Sequence, residues 1–76
     1  MPTILRIDKL RFVICPNDHT PAHVHVIGAD WEAVVDMAGP ELREIIGGNE
    51  RDGRKAVNLV AENIDILLTA WRQYHG

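Results

Sequence analysis

Apolar positions follow two regimes along the chain. Up to about residue 46 they come in short runs separated by turn residues; from about residue 50 they recur every three or four positions. The first regime is that of β-strands and the second that of an amphipathic helix. TILRI and LRFVIC, residues 3–7 and 10–15, flank Asp8-Lys9 and predict a hairpin. Pro16, Asn17 and Asp18 stop the second strand, because proline removes a ladder donor and Asn-Asp favours turns. HVHVI, residues 23–27, alternates strictly, so His23, His25 and Ile27 share one face and Val24 and Val26 the other. Gly28-Ala29-Asp30 is a turn, and residues 31–37 fit a fourth strand. Residues 41–46 fit a fifth, with a helical turn from Pro40 as the competing reading. Gly47-Gly48 ends that segment either way.

In the last third, Val57, Val60, Ile64, Leu67, Leu68 and Trp71 form one apolar stripe. Asn49 is placed to cap it, with Asp52 three residues on as the other half of a capping box. A helix over residues 50–75 would be roughly 39 Å long, at about 1.5 Å per residue. That exceeds a small sheet, so its last turns could project or pack on another chain, with Leu67, Leu68 and Trp71 as the contact; Trp71 continues the apolar stripe, which favours the core for it. The expected fold is α+β: an antiparallel β-meander of four to five strands (3–46) packed against one long C-terminal helix (50–75), in a single domain 1–76. One sheet face lies under the helix; the other is solvated, functional or covered by a partner.

Charge narrows the functions. The 76 residues carry a net charge of −3. Arg43, Arg51, Arg54 and Lys55 are interleaved with Glu41, Glu44, Glu50 and Asp52, which describes a mixed surface rather than a phosphate-binding patch. Cys15 is the single cysteine, so no intrachain disulfide can form. No apolar run reaches the roughly 18 residues of a membrane span, and the first residues lack the layout of a secretory signal. The expected location is the cytoplasm, with no membrane partner.

The chemistry concentrates in NDHTPAHVHV, residues 17–26, which holds three of the four histidines. His23 and His25 leave one strand face about 7 Å apart at the backbone, close enough to share a small ligand. Pro21 disfavours helical backbone at Thr20, so His19 and His23 are not a helical pair. A turn after Asp18 could fold His19 back to make a cluster of Asp18, His19, His23 and His25, with Cys15 as a further potential ligand. These four, Asp18, His19, His23 and His25, are the candidate catalytic residues. Histidine is suited to acid–base chemistry near neutral pH, and such a pair could cleave RNA without metal. Solvated or backbone-bonded histidines are the bland alternative. A cupin glutamate would follow three or four residues after the second histidine, whereas Glu32 follows seven after; the histidine-triad pattern fails at Pro21 and Ile27. There is no serine nucleophile and no phosphate-binding glycine loop, although Gly47-Gly48 and the helix start could hold an anion. No metal spacing is met in full, and the sequence calls for no cofactor.

The opening MPTILRI, the NDHTPAHVHV segment and the closing LLTAWRQYHG resemble a bacterial family known as domain of unknown function 4160. The correspondence runs through Met1 to Thr3, Asp18-His19, Pro21, His23, His25, Glu32-Ala33, Leu67-Leu68 and Trp71. Ala22 departs from the pattern, standing where a second proline is expected. The resemblance implies a small cytoplasmic protein similar to the toxin-like member of a type II toxin–antitoxin pair, with a cognate small protein partner. It supplies no established catalytic residue and no required cysteine at position 15.

Three readings stay open. The chain is a toxin-like protein acting on RNA through His19, His23 and His25, with Asp18 orienting a ring. Or it is a non-enzymatic interaction module, oligomeric through the C-terminal helix or a sheet edge. Or it is a metal-binding domain using the same histidines. Whether it is an enzyme does not follow from the sequence.

Overall fold

The computed structural model describes residues 3–75. Met1, Pro2 and Gly76 lie outside them. Five strands, β1 (Thr3–Ile7), β2 (Leu10–Val13), β3 (His23–Ile27), β4 (Glu32–Asp36) and β5 (Glu41–Ile46), precede two helices, α1 (Glu50–Glu62) and α2 (Ile64–His75). The strands form one antiparallel sheet in sequence order. The segment 41–46 is therefore a strand and not a helical turn.

Short turns set this order. Asp8 and Lys9 take φ of 51° and 68°, the left-handed pair that a two-residue hairpin loop requires, and Ile7 faces Leu10 across it. Between β3 and β4, Gly28 N–H donates to Trp31 C=O at 2.8 Å. At the end of β5, Gly47 takes φ of 79°, and a Cβ there would lie 2.7 Å from Asp30 C=O.

The alternation in β3 sorts the sheet faces as expected. Val24 pairs with Val35, and Val26 lies between Phe12 and Ala33. These residues form one core with Leu10, Ile14, Met37, Ala56, Val60, Leu67, Ala70 and Trp71. α1 packs over β4 and β5. Its Gly53 sits where a Cβ would come within 2.9 Å of Leu42 Cδ2, so the missing side chain permits close approach to β5. The capping box predicted at Asn49 and Asp52 is present. It places the Asp52 carboxylate at the helix start, the position that could otherwise hold an anion.

The single long helix over 50–75 is corrected by a break at Asn63. That residue leaves helical backbone at φ −120°, ψ 24°, and its side-chain Nδ2 donates to Leu59 C=O at 2.8 Å. An asparagine that bonds back to the preceding turn competes with helix continuation. Helical bonds still pass through this residue, from Asn63 N–H to Leu59 C=O and from Leu67 N–H to Asn63 C=O, both at 3.1 Å, and in α2 Leu67 is fully buried and Trp71 is 7% exposed. Both belong to this chain's own core, the place the apolar stripe favoured for Trp71, and not to a contact with another chain. Among the described residues no helix is long and apolar enough to cross a membrane.

On the face away from the helices, Val13, His25, Val34 and Glu44 form a row across β2 to β5. Val13 and Val34 are buried although they lie outside the helix-covered core. The connection between β2 and β3 folds over this face, because its Asp18 reaches both strand histidines.

Candidate functional site

His23 and His25 project from the same face of β3, with ring centroids 5.4 Å apart and the rings edge to face. Both Nε2 atoms lie 3.0 Å from one oxygen, Asp18 Oδ2. Their Nδ1 atoms are also engaged. That of His23 is 2.9 Å from Pro21 C=O, and that of His25 is 2.9 Å from Glu32 Oε2. Glu32 reaches His25 through sheet register: Val34 pairs with His25, and Glu32 is the diagonal neighbour two residues away on the same face. The site is graded in exposure, from the His23 side chain at 7% through His25 at 20% and Asp18 at 26% to Glu32 at 39%.

The loop places Asp18. Its N–H donates to Cys15 C=O at 3.1 Å, closing a turn, and the Thr20–Pro21 peptide that leads into β3 is cis. The Cys15 Sγ and an Asp18 carboxylate oxygen lie within 4.8 Å of each other. Burial and the nearby Asp18 charge push that thiol above its usual range. For Asp18 itself, burial acts to raise the carboxyl, but hydrogen bonds from His25 and His23 and their charges outweigh it, and the group is held below its usual value.

Proton accounting exposes a demand for positive charge. A carbonyl oxygen only accepts, so His23 Nδ1 must carry the hydrogen that goes to Pro21. A neutral His23 ring then turns a bare lone pair at Asp18 Oδ2. His25 has a carboxylate oxygen at each nitrogen, and a neutral ring can donate to only one. Either extra protons or a cation must sit where the two Nε2 atoms and Asp18 converge. Among the described residues, the group whose ligand-type atoms all lie within 4.8 Å of one another is Cys15, Asp18 and His25, with His23 outside it.

His19 is exposed and makes no hydrogen bond, ion pair or ring contact among the described residues. The fold-back that would have joined it to the other two is absent there. Two partners were not legible as site residues. One is Glu32, which the β3–β4 register would have shown. The other is Trp71, whose ring lies 5.4 Å from that of His23 and stacks at 3.6 Å on His75, one helical turn on. His75 Nδ1 donates to Trp71 C=O, and its Nε2 is buried with no hydrogen-bond partner among the described residues.

The chain belongs to the family described as domain of unknown function (DUF4160), which matches residues 9–72. Neither the curated proteins nor the solved structures contain a match to it.

Proposed function

We propose that this protein is a small metal-binding domain in which Cys15 Sγ, an Asp18 carboxylate oxygen and a His25 ring nitrogen, which lie within 4.8 Å of one another, hold one divalent transition-metal ion, with His23 drawn in as a fourth ligand through the Asp18 oxygen that its Nε2 also meets. The observation that carries this reading is the convergence of two imidazole nitrogens on one carboxylate oxygen while each Nδ1 faces an acceptor. Metal-ligating histidines characteristically donate their other N–H to a carboxylate or a backbone carbonyl, which fixes the tautomer and aims the lone pair. Glu32 serves His25 in this way and Pro21 C=O serves His23. A mixed nitrogen, oxygen and sulfur set suits Zn²⁺ and its neighbours rather than Mg²⁺ or Ca²⁺. Metal would also draw the proton from the Cys15 thiol, whose protonated form is otherwise favoured.

Cobalt(II) tests this reading, because tetrahedral sites with a thiolate absorb intensely in the visible and near ultraviolet. Stoichiometric Co²⁺ is expected to produce that spectrum, to lose its thiolate band in Cys15→Ala, and to lose it altogether in the double variant His23→Ala, His25→Ala. A spectrum that stays that of aqueous Co²⁺ rejects the proposal.

A second reading keeps the toxin-like role. With a proton on every ring nitrogen, His23 and His25 present two N–H donors to one anionic oxygen, now that of Asp18. A phosphate oxygen of RNA would be held the same way once Asp18 moved aside. The carboxylates of Asp18 and Glu32 and the net charge of −3 oppose a polyanion there. RNA cleavage by the pure protein, abolished in His23→Ala and His25→Ala, would favour this reading; equal activity in all three proteins would reject it.

A further inference from the structure

We infer that β5 is a self-pairing edge, through which two copies of the chain join antiparallel about a two-fold axis between Arg43 and Glu44. β5 ends the sheet, is its longest strand, and is exposed along nearly its whole length. Leu42 is 37% and Ile46 is 57% exposed. Such an edge offers unpaired N–H and C=O groups to any extended chain, and single-sign charges are a common way to repel a second copy. Here the signs alternate: Glu41, Arg43 and Glu44.

The register selects the occupant. β5 carries one extra residue against β4, since Val35 pairs with Leu42 but Val34 pairs with Glu44. Arg43 is the extra residue. The bulge sets Leu42 and Ile45 on the helix side together, opposite Val35 and Ala33, and both side chains reach toward Gly53 of α1. Glu44 and Ile46 lie on the other side, opposite Val34 and Glu32. Arg43 is directed to that side by its ion pair with Asp36.

An antiparallel copy centred between residues 43 and 44 then makes compatible pairs at its centre, with Glu41 facing Ile46 only at its two ends. Leu42 faces Ile45 of the second copy on the helix side, twice by symmetry. Arg43 faces Glu44 on the opposite side, also twice. A guanidinium has five N–H donors, enough to keep Asp36 while taking a second carboxylate. A one-residue shift either way sets Arg43 against Arg43 or Glu44 against Glu44, and like charges directly opposite are destabilising. The pairing is isologous, as closed two-fold assemblies require. Its result is a ten-stranded sheet with both histidine sites on one face.

Sedimentation velocity over a concentration series tests this with two charge variants. Wild-type protein is expected to pass from monomer to dimer as concentration rises. Arg43→Glu and Glu44→Arg each replace two attractive pairs with two repulsive ones and should weaken the dimer about tenfold, from the usual size of cross-strand pairs. An equimolar mixture of the two variants restores both attractive pairs and should dimerise as the wild type does. Circular dichroism establishes that each variant is folded. Amide hydrogen exchange of the wild type gives a second reading that needs no variant: residues 41–46 should exchange more slowly at high than at low concentration. A wild type that stays monomeric at millimolar concentration, variants that dimerise unchanged, a mixture that stays monomeric, or exchange at 41–46 that ignores concentration would each overturn the inference.

Discussion

His23 and His25, two positions apart on β3, turn their rings edge to face at 5.4 Å so that both Nε2 atoms meet the same oxygen of Asp18. Strand period places the two rings on one face; the loop before β3 supplies the carboxylate. A site with this geometry is electrostatically incomplete until protons or a cation fill it, and the predictions below follow from that condition and from the turns that hold it.

Acidification should loosen the site through Asp18. Its carboxyl is held below its ordinary value of 3.8 in the folded chain, because hydrogen bonds from His25 and His23 and their charges outweigh burial. The folded state therefore binds fewer protons at Asp18 than the unfolded state does. The associated stability is complete above about pH 4 to 5 and is lost as pH falls through the depressed folded value. Urea denaturation of metal-free protein at several pH values should show a falling acid limb, and Asp18→Asn should flatten it. At pH 7, Asp18→Ala should cost about 1–2 kcal/mol, the usual size of a charged hydrogen bond reduced for partial exposure.

Lys9→Gly should stabilise the protein. Lys9 holds φ of 68° in the β1–β2 hairpin loop, where a side chain is strained and glycine is not. The relief, less the greater unfolded-state entropy of glycine, leaves about 0.5–1 kcal/mol. The ion pair between Lys55 and Asp8, at 3.8 Å and largely exposed, is untouched by this change. A rise in the urea midpoint with an unchanged slope would report it.

Gly47→Ala should act in the opposite sense. At φ of 79°, an added Cβ meets Asp30 C=O at 2.7 Å, and backbone cannot move aside as a side-chain tip would. The expected loss is about 2–3 kcal/mol, from left-handed strain plus the clash. For a chain of this size, that corresponds to a fall in melting temperature of about 8–20 °C.

Much of the architecture was legible because its signals are local. The β3 alternation, the Asp8-Lys9 turn and the Asn49–Asp52 capping box each depend on neighbours in sequence, and each appears as read. The helix break was not legible, because Asn63 interrupts the stripe without removing it. Val60, Ile64 and Leu67 keep helical spacing on both sides of it, so the stripe carries no sign of the interruption. The site was half legible. Period alone paired His23 with His25. His19 is set by the irregular β2–β3 connection, whose path no periodicity encodes. Glu32 depended on strand register, and the Trp71 contact with His23 on the packing of α2.

Metal should also be visible as stability. A ligand bound to the folded state alone stabilises it by about 2.7 kcal/mol at one hundred times its dissociation constant. For a chain this small, the melting temperature should rise by about 10–20 °C with Zn²⁺. The rise should vanish in the double variant His23→Ala, His25→Ala and persist in His19→Ala, since His19 lies outside the cluster.

Elemental analysis of protein purified without an affinity tag and without chelator tests the central claim most directly. The account predicts close to one transition-metal ion per chain in the wild type, and little in the double variant His23→Ala, His25→Ala. Metal well below one per chain in the wild type, with no uptake after Zn²⁺ is added and excess removed, would contradict it. The cluster would then be a proton-filled one.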